Sequence, residues 1–298
     1  MKVCLIIHGR SHLKSLTESS WSNLAKSKVF ELHIQLTEGM GHAEGLAQAA
    51  SDYDLVVSCG GDGTHHEVVN GLMKLPPSKR PTFTPIGGGS GNDFMRIRRP
   101  LLASEIYAAF TSGQASNIRV LDIQWKDHQR YALNISTAGI GAEIAQLVNR
   151  RKFKIPPAVN YYTAILHWLA RYRAPHVNMH IDDSSAALEA KPFLLALGNG
   201  KYAGNGLGLC PQADLTHAGF ALTNIGNVGV LDFLRYQSTL QRCQEVKDPR
   251  VSYQRAEQLT IVVMQGPFSI EADGEYLVTL EAGERISYKK SSDALQLI

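Results

Sequence analysis

Residues 60–64 read Gly-Gly-Asp-Gly-Thr, and residues 87–93 read Gly-Gly-Gly-Ser-Gly-Asn-Asp. Each cluster follows a short apolar run, and a helical pattern with Val68, Val69, Leu72 and Met73 follows the first at once. A glycine-rich turn between a strand and a helix leaves backbone N–H groups unblocked beside a helix N-terminus, a geometry that binds phosphate. No lysine follows either cluster in the GxxxxGK[ST] pattern, so neither is a Walker loop. Ordinary turn and cap chemistry is the competing reading. Thr64 and Glu67 have the spacing of a capping box, which predicts a helix from residue 64. The second cluster also suits a surface loop or a cap by Asn92 or Asp93. The two clusters lie about one βα unit apart, which predicts adjacent parallel strands whose C-terminal ends open into one crevice. A β-branched side chain at Gly61 is expected to block backbone approach and to penalise a positive φ. His65 and His66 are read as surface residues.

Carboxylates supply the rest of the chemistry. Asp62 repels phosphate directly, so its use there is indirect, through Mg²⁺ and its waters. By composition alone it is a turn aspartate bonding its own backbone. Asp273-Gly274 is a hairpin-turn signal between residues 268–271 and 276–280, and Glu275 follows it directly.

The elements that must hold these residues alternate up to about residue 112. Strands are predicted at 3–7, 30–36, 53–58 and 82–86, with helices at 12–27, 42–51, 64–74 and 103–112. That is the pattern of a parallel sheet covered on both faces. Strands then dominate, at 117–125, 130–136, 176–182, 193–198, 219–226, 258–264, 268–272, 276–281 and 285–289. Helices interrupt near 141–151, 158–173 and 229–242, and 183–190 and 243–257 read as polar loops. The fold class is therefore α/β: an N-terminal parallel-sheet nucleotide-binding domain, residues 1–122, and a β-rich, antiparallel, sandwich-like second domain, residues 123–287.

A net charge of +3 over 298 residues is too mild to imply nucleic acid. Cys4, Cys59, Cys210 and Cys243 form no CxxC pair and read as buried thiols in a reducing compartment. The apolar run Val3 to Ile7 is too short for a signal-peptide core, and no stretch approaches the ~18 residues of a membrane span. A cytoplasmic chain is expected, with any membrane contact peripheral, at the inner face.

GGDGTHHEVVNG followed by GGGSGND resembles the diacylglycerol-kinase catalytic domain family, and in particular its small bacterial lipid kinases. The likeness runs on through residues 37–43, through Asn134 to Gly141, through Gly200 to Gly206 with Pro211-Gln212-Ala213, and through Asp273-Gly274-Glu275. It implies a kinase that uses ATP and Mg²⁺ on a lipid hydroxyl, with the lipid in or beside the β-rich domain. It also implies that residues 288–298 return to complete the first domain. Arg10, Ser11, Thr37, Gly60, Gly61, Asp62, Gly63, Thr64, Glu67, Gly89 and Ser90 fall at the implied nucleotide positions. Glu275 is the implied proton acceptor, with Asp62 second. Asp214, His217 and Gly219 fall at the implied metal positions.

The sequence departs from the family in two places. The family's Asn-Pro-x-Ser-Gly loop reads His8-Gly9-Arg10-Ser11-His12, where Arg10 is the candidate replacement phosphate contact. His217 stands where the family has a Mg²⁺-binding aspartate, and neutral imidazole suits hard Mg²⁺ poorly. Residues 150–173 carry basic and aromatic groups and no acid, which fits a membrane interface or a buried helix with a basic rim. Two rivals to a lipid kinase stay open, a NAD-kinase-like enzyme and a non-catalytic nucleotide or lipid sensor. The oligomeric state is not legible.

Overall fold

The computed structural model describes residues 1–89, 91–150, 163 and 172–298. The chain forms two units, residues 1–120 with 292–298, and residues 121–291.

The first unit is a six-stranded sheet. Its strands are β1 (Lys2–His8), β2 (Glu31–Thr37), β3 (Leu55–Gly60), β4 (Thr82–Gly87), β5 (Ser116–Ile118) and a late strand, Leu295–Leu297, in the order β2-β1-β3-β4-late strand-β5. The first four are parallel, and the late strand pairs parallel with β4 and antiparallel with β5. Residues 3–7 of β1 and all of β3 are buried; the apolar runs at residues 3–7 and 55–57 suit a sheet covered on both faces, and buried Ser58 is satisfied by His65. Alternation turns Val3, Leu5, Ile7, Leu55 and Val57 toward Trp21 of α1 (Lys14–Lys28) and Ile106 of α4 (Ala103–Thr111). The opposite rows face α2 (His42–Gln48) and α3 (Asp62–Met73), which pack together.

The second unit is a sandwich of two six-stranded antiparallel sheets. One holds β6 (Leu121–Trp125), β7 (His128–Ala132), β9 (His176–Ile181), β10 (Leu188–Ala190), β16 (Gln258–Gln265) and β19 (Arg285–Lys290). The other holds β8 (Ile135–Gly139), β11 (Leu194–Gly198), β14 (Phe220–Ile225), β15 (Val251–Ala256), β17 (Phe268–Ala272) and β18 (Glu275–Leu280). A small hairpin, β12 (Tyr202–Ala203) with β13 (Leu207–Gly208), stands apart from both, and the late strand of the first unit is β20. Leu121, Met179, Ile261 and Tyr288 from one sheet meet Leu197, Phe220, Phe268 and Ile270 from the other. A second apolar cluster lies on the outer face of the β8 sheet, with α5 (Ile140–Arg150) and α6 (Val230–Gln241).

Several expected elements differ. The helix expected from residue 64 begins at Asp62, with Gly61 at its N-cap. His65 and His66 are buried, because α3 turns that side to the sheet and His65 Nδ1 meets Ser58 Oγ at 2.8 Å. The single strand expected at 130–136 breaks between β7 and β8, where Asp273 draws in the amides of residues 133–135. The supposed loops 183–190 and 243–257 contain β10 and β15, the outermost strands of their sheets. Edge strands pair through the main chain and need little apolar character. The helix expected at 158–173 falls almost wholly outside the described residues.

Candidate functional site

The C-terminal ends of β2, β1, β3 and β4 bring four sequence-predicted segments to one edge of the first unit. Gly60 and Gly87 are register partners on adjacent strands, and the Gly88 N–H donates to the Gly60 carbonyl at 2.6 Å. Beyond that bond the two loops are in direct contact. A Cβ at Gly61 would lie 3.2 Å from the Gly89 Cα, and a Cβ at Gly89 would press closer still on Gly61. No glycine of either loop has a positive φ, and Gly61 sits at −89°. Close approach therefore demands glycine at 89 and disfavours a side chain at 61, and the expected strain of a positive φ at Gly61 does not arise.

The first loop joins the same edge. Ser11 is buried, its Oγ donates to the Gly88 carbonyl at 3.4 Å, and a Cβ at Gly88 would lie 2.7 Å from that hydroxyl. Thr37, at the end of β2, accepts the Gly9 N–H on its Oγ1 at 3.2 Å. Arg10 is exposed between them. Thr64 is buried against Gly60. Gly63 lies in the first turn of α3, whose leading N–H groups have no partner within the helix. Ser90 lies outside the described residues.

Two acidic side chains of this edge bind backbone. Asp62 Oδ2 accepts the Asp93 N–H at 3.0 Å, and Oδ1 accepts the Phe94 N–H at 3.2 Å. The aspartate of the first glycine loop thus caps the short 3₁₀ turn Phe94–Ile97 that follows the second. Glu67 makes no capping box with Thr64. Its carboxylate takes the N–H groups of Gly41 at 2.8 Å and Ala43 at 3.1 Å, at the N-terminus of α2. Asn92, a candidate helix cap, instead closes the second loop on itself, with its amide oxygen on the Gly89 N–H at 3.0 Å.

In the second unit the later motifs knit together around Asn134. Its carbonyl accepts the N–H groups of Asn199 and Gly200, and its side chain donates to the Tyr202 carbonyl at 2.8 Å. A Cβ at Gly200 would collide with the Asn134 side chain. Asp273 accepts the N–H groups of Leu133, Asn134 and Ile135 at 2.9, 2.8 and 3.2 Å. Asp273 and Gly274, with φ of 52° and 88°, form the two-residue turn of the β17–β18 hairpin, as the dipeptide predicts. Glu275 is the first residue of β18 and is partly exposed. Sequence reading missed Glu271, which is 4% exposed. The signal for it was a carboxylate inside an otherwise apolar strand, Phe268–Ala272, since buried acids are rare unless partnered.

The outer face of the β8 sheet holds an apolar cavity lined by Ile140, Ile144, Phe193, Leu207, Phe233 and Leu240, among others. Its free volume is about 50 Å³.

At the implied metal positions the polar groups make local bonds. Asp214 Oδ1 is engaged by the Thr216 N–H at 2.8 Å and its hydroxyl at 2.7 Å, and these bonds hold the carboxyl below its ordinary pKa. His217 Nδ1 accepts the Gly219 N–H at 3.0 Å. Among the described residues no three His, Cys, Asp or Glu converge as a metal site.

Comparison with known proteins agrees with this geometry. Residues 2–123 match the diacylglycerol kinase catalytic domain. Residues 134–290, more than half of the chain, match the YegS C-terminal NAD kinase beta sandwich-like domain. A diacylglycerol kinase of Staphylococcus epidermidis is 29% identical over 249 residues, covering 83% of this chain and 76% of the relative. The crystal structure of a diacylglycerol kinase from Bacillus anthracis superposes with a TM-score of 0.70 at 22% identity, over 99% of this chain and 96% of that one. An ATP complex of an NAD kinase from Archaeoglobus fulgidus shares the fold at a TM-score of 0.56 and 13% identity, over 100% of this chain and 93% of that one. The chain belongs to the family of the YegS C-terminal NAD kinase beta sandwich-like domain, and its N-terminal part carries the diacylglycerol kinase catalytic domain.

Proposed function

We propose that the protein is an ATP-dependent lipid kinase, which moves the γ-phosphoryl group of ATP onto the hydroxyl of a lipid such as diacylglycerol or phosphatidylglycerol. The observation that carries this reading is the contact of two glycine loops, Gly60–Gly63 and Gly87–Gly89, at the ends of adjacent parallel strands. The diacylglycerol kinase relatives support it.

Phosphoryl transfer asks for positioning and charge neutralisation. The leading N–H groups of the first turn of α3 receive the nucleotide phosphates, with the second loop closed against the first beside them. The hydroxyls of Ser11 and Thr37 stand at the same edge, and Arg10 supplies a cation. Mg²⁺ enters as part of the nucleotide substrate. Asp62 acts by holding the second loop against the first. In the second unit the apolar cluster on the outer face of the β8 sheet is the element offered to lipid hydrocarbon, and its small cavity must widen to admit a chain. Strand β8 runs from beside the Asp273–Gly274 turn to the cavity wall, a rise of roughly 13 Å. As the lipid oxygen bonds to the γ-phosphorus, the bond to ADP breaks and the hydroxyl proton passes to Glu275. Among the described residues no helix is long and apolar enough to cross a membrane; in this reading the enzyme meets its lipid by peripheral contact.

Labelled ATP offered with diacylglycerol, phosphatidylglycerol, a sphingoid base and NAD, with and without Mg²⁺, tests the reading. Label in a lipid product supports it. Label in NAD alone selects the NAD-kinase-like alternative, and ATP binding with no product selects a sensor.

A further inference from the structure

The Asp273–Gly274 turn is gripped twice by buried carboxylates. Asp273 accepts three N–H groups from residues 133–135. Glu271, two residues earlier on β17, places one oxygen on the Thr137 N–H of β8 at 2.9 Å and the other on the Gly274 N–H at 2.7 Å. The Ser136 hydroxyl donates to the Glu271 carbonyl at 2.6 Å. The pairing of β17 with β18 shifts register between Ile270 and Glu271, so the strand is irregular at this residue.

An Asp-Gly turn closes a hairpin without such help. Burying a second carboxylate beneath it is costly. What the second grip adds is a fixed position of the turn relative to β8, and the residue that leaves the turn is Glu275. We infer that Glu271 is a positioning residue, whose carboxylate ties the Gly274 amide to Thr137 and so sets the approach of Glu275 to the acceptor hydroxyl. This role rests on the reading of Glu275 as proton acceptor.

The tie depends on ionisation. A carboxylate accepts both N–H groups strongly, whereas protonation removes the charge and leaves one oxygen a much weaker acceptor, so the tie loosens. The groups facing Glu271 are Asp273 in the turn, Tyr288 on β19, and Ser136 and Thr137 on β8. Burial raises Glu271 to about 7, and the charge of Asp273 adds to the rise. The tie therefore closes as pH rises through neutrality.

The experiment joins an activity profile to an amide titration. Against short-chain diacylglycerol, wild-type kcat should climb with pH through about 7. Glu271→Gln should lower kcat about 10²-fold, since small misplacements of a reacting group cost that much. The variant should keep KM and ATP affinity within about twofold and lose the climb. In the wild type, the Gly274 amide resonance should titrate in step with kcat, a readout that needs no variant to fold. A Gly274 amide that does not move between pH 5 and 9, or a folded Glu271→Gln enzyme with wild-type kcat, overturns this role alone. A wild type that phosphorylates no lipid overturns the functional reading along with it.

Discussion

Asp62 and Asp93, 31 residues apart, are joined by a hydrogen bond of 3.0 Å from the amide of the second to the carboxylate of the first. The two glycine loops are thus held by a side chain as well as by strand pairing. Asp62→Asn keeps one acceptor and turns an NH₂ group toward the other amide. We expect a loss of about 1–3 kcal/mol, the range for hydrogen bonds to a charged group. It should be read as a lower denaturant midpoint together with weaker ATP binding. Unchanged stability and affinity would show that the cap is dispensable.

Steric closeness orders two alanine substitutions. At Gly61 a Cβ meets Gly89 at 3.2 Å, while at Gly89 it presses closer on Gly61. Gly89→Ala should therefore weaken ATP binding by about tenfold or more, a change of at least ~1.4 kcal/mol. Gly61→Ala should cost less. Calorimetric titration of folded variants checks the order, and a larger loss at Gly61 contradicts it.

Removing the proposed proton acceptor should separate chemistry from binding. Glu275→Gln should lower kcat about 10²–10⁴-fold and leave ATP affinity intact. Full lipid phosphorylation by this variant would move the base assignment to Asp62.

Asp214 offers a metal test. Its oxygen Oδ1 is occupied by Thr216, and no ligand set surrounds it among the described residues. Asp214→Asn should leave the Mg²⁺ concentration for half-maximal activity unchanged. A clear rise would place a metal at this turn.

Glu271 should also mark the pH dependence of stability. Its folded pKa, about 7, lies above the ordinary 4.5, so the native state binds the proton more tightly than the unfolded chain. Stability from this group is therefore greatest below about 4.5, declines as pH rises toward about 7, and then levels. Melting temperatures measured at pH 5 and pH 8 should differ less in Glu271→Gln than in wild type.

What the sequence showed plainly was local. Residues 3–7 of β1 and 55–57 of β3 are unbroken apolar runs, the glycine loops follow strands directly, and Asp273-Gly274 announces its own hairpin. What it concealed was reach. Glu67 has the spacing of a local cap, yet its carboxylate serves amides 24 and 26 residues away, and only the packing of α2 on α3 brings them near. Glu271 belongs to the same class, because its partner Thr137 lies 134 residues earlier and meets it only when β17 pairs with β8. Edge strands β10 and β15 escaped notice because backbone pairing leaves little mark on side chains.

The late strand β20 imposes an order on biosynthesis. It lies between β4 and β5, and Ile298 adds bonds to Phe83 and Thr84 on β4. On the ribosome, the sheet that presents the glycine loops must wait with an unfilled gap until all of residues 121–291 have emerged. A chain halted anywhere in that span carries both glycine loops on an incomplete sheet.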